Sequence, residues 1–266
     1  MGSSTKCFDW ASPFYDYSRA VPADLMRKTI DLLQDKMRID SNSKILEVGV
    51  GTGRIAIPLA EKLKTNTIGI DISVEMLQKC QEKMSSKSSA AKIQLIVADG
   101  LKLPFTDNQF DIILTCHVTH LLSNAYQFVK IITPLLIKNG YYVNLSAYVD
   151  YGQTLPFKIY YDKLSETGFR PSHQGDLIRR GLIIYLSRRK WNHLQCIIES
   201  KRQIGMKDLV RFIRDRVFSH LRAIDDDHHH SAFEYLLTEI ENNEIDLSKK
   251  VFAPAKSRLH IFQRQF

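Results

Sequence analysis

The sequence has little cysteine and no long hydrophobic run. No apolar stretch approaches the roughly 20 residues needed to span a bilayer, and the opening MGSSTKCFDW lacks the apolar core of a secretory signal. The cysteines Cys7, Cys80, Cys116 and Cys196 lack the paired spacing of metal ligands. These absences predict a cytoplasmic protein with reduced thiols, no membrane insertion and no metal site.

Internal repeats and low-complexity linkers are also absent. The 266 residues, of which 44% are hydrophobic and 25% charged, suit one large α/β domain with an elaboration, or two small domains. The net charge is +8, and residues 170–216 hold 12 basic against 4 acidic side chains. Such an excess indicates either a solvated helix face or a footprint for an acidic or phosphorylated partner.

Apolar strands alternate with helical patterns through the first 150 residues. The predicted strands are 44–49, 67–71, 92–99, 110–116 and 141–149, and the predicted helices are 24–37, 55–63, 73–84 and 126–137. The strands are too apolar for a sheet with one wet face, so the pattern predicts a parallel sheet covered on both sides.

The regular alternation stops after Asp150. Helices are predicted at 155–167, 206–224 and 231–241, and 181–188 reads as either a strand or a buried helix turn. Two β-like runs, 250–253 and 258–266, flank Pro254-Ala-Lys-Ser and predict a closing hairpin. The predicted units are therefore a ligand-binding core at 1–150, a mainly helical insert at 151–245 and a hairpin at 246–266 that completes the sheet.

A glycine-rich turn follows the first predicted strand. It reads Glu47-Val-Gly49-Val-Gly51-Thr-Gly53, and glycines are needed where a backbone turns sharply and a ligand approaches it closely. A dinucleotide fingerprint would place glycine at position 54, but Arg54 stands there. The turn therefore predicts a nucleotide-like ligand other than a dinucleotide.

Acidic residues end the next two strands. Asp71 can accept both ribose hydroxyls of an adenosine, and Asp99 can reach an adenine amino group. Each could instead cap a helix, and Asp71 before Ser73 is well placed for that. Together at the carboxyl edge of a sheet, the two acids predict a ligand site.

The motifs ILEVGVGTGRIAIPLA, GIDIS with EML, ADGLKLPFTDNQFDII and CHVTHLL occur in this order. They resemble the class I S-adenosyl-L-methionine (SAM) dependent methyltransferases, closest to the small-molecule and quinone-type branch. The resemblance implies a Rossmann-like α/β fold, in which a mostly parallel seven-stranded sheet has helices on both faces and a helical insert before a C-terminal β-hairpin. It also implies SAM as the cofactor.

The resemblance assigns roles around the glycine turn. The turn Gly49–Gly53, with Gly49, Gly51 and Gly53, would wrap the methionine part of SAM, and Glu47 would order that loop. Asp71 would hold the ribose.

It also assigns roles beyond the ribose. Ile72 and Met76 would pack on the adenine, and Asp99 with Gly100 would read the adenine edge. Cys116 and His117 would face the sulfonium end.

The stretch from Phe8 to Arg19 resembles the lid segment of such enzymes. Tyr15 and Arg19 would close over the cofactor.

Histidines follow the fourth strand, at the reactive end of the cofactor. His117 and His120 are the candidate general bases, because an ordinary imidazole titrates near neutral pH. His120 could equally pack structurally. The run His228-His-His230 follows three aspartates, and those aspartates are better explained as a helix N-cap than as metal ligands.

Aromatic residues cluster where the predicted insert begins. They could line an acceptor pocket or belong to the core, and they are Tyr148, Tyr151, Phe157, Tyr160 and Tyr161.

Three functions remain open from the sequence. The leading prediction is methylation of O, N or C on a small molecule, with the basic stretch favouring an acidic one. A nucleic-acid methyltransferase is an alternative, although the chain has no Asn/Asp-Pro-Pro-Tyr/Phe motif and no appended RNA-binding module. A SAM-binding protein that no longer transfers methyl groups is the third.

Overall fold

The computed structural model describes residues 15–86, 93–169, 174–189 and 191–265. The part of the predicted lid from Phe8 to Phe14 lies outside these ranges. The first half contains α1 (Tyr15–Ser18), α2 (Ala23–Met37), β1 (Lys44–Val48), α3 (Ala56–Leu63), β2 (Asn66–Asp71), α4 (Val74–Ser86), β3 (Ile93–Val97), β4 (Phe110–Cys116), α5 (Ala125–Leu135) and β5 (Leu136–Val149).

The second half opens with a single 3-10 turn at Tyr151–Gln153. It continues with α6 (Leu155–Glu166), α7 (Gln174–Ser187), β6 (Trp191–Gly205), α8 (Met206–Arg214), α9 (Ser219–Arg222), α10 (Asp226–Asn242) and β7 (Lys250–Arg264).

The strands form one sheet in the order β3-β2-β1-β4-β5-β7-β6. Strands β1 to β5 pair in parallel, whereas β7 pairs antiparallel with both β5 and β6. This arrangement confirms the predicted seven-stranded, mostly parallel sheet. Because β1, β2, β3 and β4 run the same way, the loops that follow them meet at one edge.

The predicted closing hairpin is wrong. Residues Lys250–Arg264 form one continuous strand through Pro254. This strand pairs antiparallel with β6. The Pro254 carbonyl accepts a hydrogen bond from the Asp150 N–H at 2.7 Å, just beyond the last β5 pair, Val149 with Ala255. The N–H and C=O of a strand residue point to the same side. The N–H that Pro254 lacks would therefore point toward the chain beyond the end of β5, and no hydrogen bond of the β5–β7 ladder is lost.

Strand β6 also divides the predicted helical insert. Helices α6 and α7 come before β6, and α8 to α10 connect β6 to β7. The segment 181–188 is helical and lies mostly in α7. The predicted helix 206–224 is two helices, because the chain breaks at Arg216, whose φ is 46°.

The predicted N-cap is confirmed at α10. Asp225 accepts a hydrogen bond from the His228 N–H at 3.1 Å, and the His228 Nδ1 lies 2.7 Å from the same carboxylate.

Apolar side chains pack on both faces of the sheet. Helix α2 covers one face with Ile30 and Leu33, and α5 covers the other with Phe128 and Ile132. A third cluster joins α6, α8, α9 and α10 to the end of β5. Among the described helices, none is both long enough and apolar enough to cross a bilayer.

Candidate functional site

In the glycine turn between β1 and α3, other residues pack closely against two of the three glycines. Gly49, Gly51 and Gly53 have φ values of 72°, 54° and 76°, the left-handed region that favours glycine. A Cβ on Gly49 would lie 2.2 Å from a Val118 methyl, and one on Gly53 would lie 2.6 Å from the Cys80 sulfur. A Cβ on Gly51 would meet nothing within 4 Å, so the turn presents Gly51 to open space.

Asp71 at the end of β2 holds this turn. Its carboxylate accepts a hydrogen bond from the Gly51 N–H at 2.9 Å and another from the Ser73 N–H at 3.0 Å. The second bond is the local cap that the sequence allowed as an alternative. Burial raises the pKa of the Asp71 carboxyl above its ordinary value, and hydrogen bonds from Ser73 and Gly51 oppose that shift.

A cavity of about 260 Å³, here called the strand-end cavity, opens above the turn. It collects most of the residues that the resemblance assigned to the cofactor, namely Tyr15, Gly49, Gly51, Asp71, Ile72, Met76, Asp99, Gly100, Cys116 and His117. The Asp99 carboxylate accepts a hydrogen bond from the Leu101 N–H at 2.8 Å, which fixes its orientation at the rim.

Three assigned residues lie outside this lining. Gly53 packs beneath the turn, against Cys80. Glu47 is 3% exposed, accepts a hydrogen bond from the Ala56 N–H, and has its pKa raised to about 8 by burial while nearby Arg54 opposes the shift. Arg19 lines a neighbouring cavity instead.

That neighbouring cavity, here called the side cavity, measures about 300 Å³. Tyr15 and His117 line both cavities, so the two meet at these residues. Of the aromatic residues singled out in the sequence, Tyr148, Tyr151, Phe157 and Tyr161 line the side cavity.

Tyr160 belongs to the core instead. It is 0% exposed and its hydroxyl lies 2.7 Å from the His229 Nδ1.

Sequence reasoning missed several residues of the side cavity. Phe218 and His220 come from the break before α9 and from α9 itself, and Arg54 follows the glycine turn. The His220 ring stacks on Phe218 with centroids 5.6 Å apart, and its Nε2 lies 2.8 Å from the Tyr161 hydroxyl. No periodic or motif signal in residues 216–222 marks this contact.

The two candidate bases differ in position. His117 has a φ of 57°, and its Nε2 lies 3.1 Å from the Ala147 N and 2.9 Å from the Ala147 O on β5. Burial, with Arg54 close by, lowers the pKa of His117 to about 3. Such an imidazole takes up a proton poorly at neutral pH, and His120 is exposed and lies outside both linings.

Helix α1 contributes Tyr15 to both cavity linings and is held by contacts at both ends. Asp16 accepts a hydrogen bond from the Thr52 hydroxyl at 2.7 Å and forms a salt bridge with Lys83 at 2.6 Å. At the other end, Arg202 of β6 donates to the Tyr17 carbonyl at 2.8 Å, to the Ala20 carbonyl at 3.2 Å and to the Tyr151 hydroxyl.

At least four of the twelve basic residues in 170–216 are engaged within the molecule. Arg202 holds α1, Arg211 and Arg214 pair with Asp215, and Arg216 pairs with Asp226 at 2.7 Å. These contacts favour the structural interpretation of that charge over a binding footprint.

Comparison with known proteins matches residues 46–144 to the family model described as "Methyltransferase domain". A ubiquinone/menaquinone biosynthesis C-methyltransferase (UbiE) of Geotalea daltonii is 32% identical over 107 residues, which are 39% of this chain and 46% of that protein. The chain therefore matches about half the length of this curated relative.

Solved structures share the fold across most of the chain. The [4+2]-cyclase SpnF superposes with a TM-score of 0.58 at 14% identity, covering 98% of this chain and 95% of that one. A Haemonchus contortus phosphoethanolamine N-methyltransferase 2 superposes with a TM-score of 0.53 at 14% identity, covering 100% of this chain and 61% of that one. Residues 46–144 are therefore similar to a methyltransferase domain, and the fold of the chain is similar to that of these solved structures.

Proposed function

We propose that this protein transfers a methyl group from SAM to a small-molecule acceptor and releases S-adenosylhomocysteine. The observation that carries the proposal is the meeting of two cavities at Tyr15 and His117. One cavity is lined by the residues that the family resemblance assigns to SAM, and the other is lined largely by aromatic side chains.

The strand-end cavity fits SAM by the chemistry of its walls. The Asp71 carboxylate keeps lone pairs for the ribose hydroxyls beside the two backbone N–H groups it already accepts. Ile72 and Leu121 are 43% and 48% exposed at this cavity and offer apolar surfaces for a flat base. When bound, SAM supplies a methyl carbon already activated by a sulfonium.

Positioning is the main task left to the protein. Holding the acceptor in line at near-attack distance can lower the barrier by about 7–11 kcal/mol. Helix α1 contributes Tyr15 where the cavities meet, and contacts of Asp16 and Arg202 hold the helix in place. His117 stays uncharged at neutral pH and so forms a neutral wall between the two cavities.

The side cavity is the proposed acceptor site. Its volume of about 300 Å³ suits a small molecule, and Tyr151, Phe157 and Phe218 give it an aromatic wall. Proteins similar to this chain include a ubiquinone/menaquinone biosynthesis C-methyltransferase and an ajmaline N-methyltransferase, and the acceptor atom stays open among O, N and C.

A second function, binding SAM without transferring its methyl group, stays open from the sequence. The structure of the [4+2]-cyclase SpnF shares nearly the whole of this fold. Fold alone therefore does not decide the reaction.

Calorimetry and label transfer test the two steps separately. Asp71→Ala should weaken S-adenosylhomocysteine binding by roughly 1–3 kcal/mol, because hydrogen bonds to a charged group are lost. Asp35→Ala is the matched control, since Asp35 is exposed and pairs with Lys36 on α2. Unchanged affinity in Asp71→Ala would contradict the ribose assignment.

The second step uses SAM with a labelled methyl group and an extract of small metabolites. Label in a small molecule supports transfer. Binding of S-adenosylhomocysteine without label in any fraction would favour the non-transferring function.

A further inference from the structure

We infer that the acceptor carries a carboxylate or phosphate group and that Arg19 binds this group in the side cavity. This inference rests on the proposed function, because it identifies the chemistry of the acceptor. The family resemblance had placed Arg19 over the cofactor, whereas the structure puts it in the lining of the neighbouring cavity.

Within the described residues, the Arg19 guanidinium has no counter-ion from the protein. Among the residues that the structure describes, its side chain forms no salt bridge and donates no hydrogen bond. Its neighbours are rings, with Cζ 5.0 Å from the Phe218 centroid and 6.0 Å from the Tyr15 centroid. Burial, together with the charge of nearby Arg54, lowers the pKa of Arg19.

The other arginines nearby show what a structural role looks like. Arg54 donates to the Arg19 carbonyl at 2.7 Å and to the Ala147 carbonyl at 3.3 Å. Arg202 donates to the carbonyls at the end of α1. Both donate to groups of the protein, including the Cys116 sulfur for Arg54 and the Tyr151 hydroxyl for Arg202, whereas Arg19 keeps its planar set of donors for the cavity.

The charge of the lining points the same way. The lining of the side cavity holds two arginines, Arg19 and Arg54, and one carboxylate, that of Asp150. The Asp150 carboxylate accepts a hydrogen bond from the Gln153 Nε2 at 2.6 Å. Removing a cation from water without a partner is unfavourable, and an anionic ligand offsets that penalty. Guanidinium donors match the paired oxygens of carboxylate and phosphate.

The rings beside Arg19 add a second requirement. The Arg19 guanidinium lies over the ring of Phe218, and Tyr151 packs against Phe218 with ring centroids 5.6 Å apart. A ligand that reaches Arg19 therefore passes along an aromatic wall. An acid with a flat apolar body satisfies both the charge and the wall.

The test compares benzoate, inorganic phosphate and the neutral analogue benzamide, each titrated into protein loaded with S-adenosylhomocysteine at fixed ionic strength. Wild-type protein should bind at least one anion, and benzoate should bind about tenfold more tightly than benzamide, the effect of one hydrogen-bonded charge pair. Arg19→Gln should remove this preference, and Arg19→Lys should restore part of it because the charge returns without the planar donors.

The controls separate this inference from the proposed function. Arg27→Gln changes an exposed arginine of α2 and should leave every affinity unchanged. Equal benzoate and phosphate binding by wild type and Arg19→Gln would overturn the inference, whether or not methyl transfer occurs. A large loss of S-adenosylhomocysteine affinity in Arg19→Gln would also overturn it, because Arg19 would then act at the cofactor. Failure of wild type to bind S-adenosylhomocysteine at all would count against the proposed function instead.

Discussion

Asp16 in helix α1 and Thr52 in the glycine turn are joined by a hydrogen bond of 2.7 Å, from the Thr52 hydroxyl to the Asp16 carboxylate. Lys83 of α4 adds a salt bridge to Asp16 and donates to the Thr52 carbonyl at 2.9 Å. Helix α1, whose Tyr15 lines both cavities, is therefore joined to the glycine turn that is proposed to bind SAM. Ligand binding and the position of α1 should depend on each other.

Replacing Asp16 should weaken ligand binding without unfolding the protein. Asp16→Ala removes the acceptor for Thr52 and Lys83, and we expect S-adenosylhomocysteine affinity to fall about tenfold, or ~1.4 kcal/mol. The melting temperature should change little, since the contacts lie near the surface. Calorimetry measures the affinity, with Asp35→Ala as the control, and equal affinity for Asp16→Ala and wild type would show that α1 is not coupled to the ligand.

The glycines of the turn should separate folding from binding. Gly51→Ala places a methyl group in open space at the strand-end cavity, so we expect a folded protein with weakened S-adenosylhomocysteine binding. Gly49→Ala should destabilise the fold itself, because its Cβ would overlap Val118. Each carries the left-handed backbone penalty of about 1–2 kcal/mol.

Gly168→Ala is the control for that backbone penalty. Gly168 has a φ of 79°, no neighbour within 4 Å of its Cβ, and a position outside both cavity linings. It should lose a similar amount of stability and retain full binding. If Gly51→Ala behaves like Gly168→Ala in calorimetry, the cofactor does not approach Gly51.

Glu47 should make stability depend on pH in a definite direction. Burial raises its pKa from 4.5 to about 8, so between these values the folded state holds a proton that the unfolded state has released. The free energy of unfolding contributed by this group therefore falls as pH rises from 4.5 to 8, by at most about 1.4 kcal/mol per pKa unit. Glu47→Gln should remove that fall.

Urea unfolding of the ligand-free protein at pH 5 and at pH 8 measures this effect. Glu47→Gln should gain stability relative to wild type at pH 8 and show little gain at pH 5. An equal difference at both pH values would mean that Glu47 is charged in the folded protein.

His117 should not control the pH profile of methyl transfer. Its pKa of about 3 keeps the imidazole neutral through the ordinary assay range. His117→Asn retains a residue that tolerates the left-handed φ of 57°, and we expect a lower rate with an unchanged profile shape. Loss of an ionisation between pH 5 and 8 in this variant would restore His117 as the general base.

The cofactor half of the fold could be predicted because its signals are local. Each of β1 to β4 is a short, largely apolar run: β2 ends at Asp71, β4 ends at Cys116, and β1 and β3 are followed closely by Gly49 and Asp99. The parallel order brings these ends to one edge. That rule places Asp71 and Asp99 at the same edge, whereas the roles of the other residues assigned to SAM came from the family resemblance.

The second half could not be predicted in the same way. Strand β6 lies at the sheet edge, where exposed and half-buried side chains alternate weakly, so Trp191–Gly205 lacks the apolar periodicity of a strand. Pro254 lies inside β7, and its presence in the sequence led to the prediction of a turn there. Arg19 lines the neighbouring cavity because contacts with Thr52, Lys83 and Arg202, which are distant in sequence, set the path of α1.

The end of β5 at Val149 separates residues that line the two cavities. Most of the strand-end cavity lining lies before this point, and the aromatic wall of the side cavity lies after it. Exchange of the stretch between Asp150 and Pro254 would leave the central parallel strands untouched while replacing that wall. A chimera joined at Val149 would therefore change the proposed acceptor site and keep the strands that carry the glycine turn.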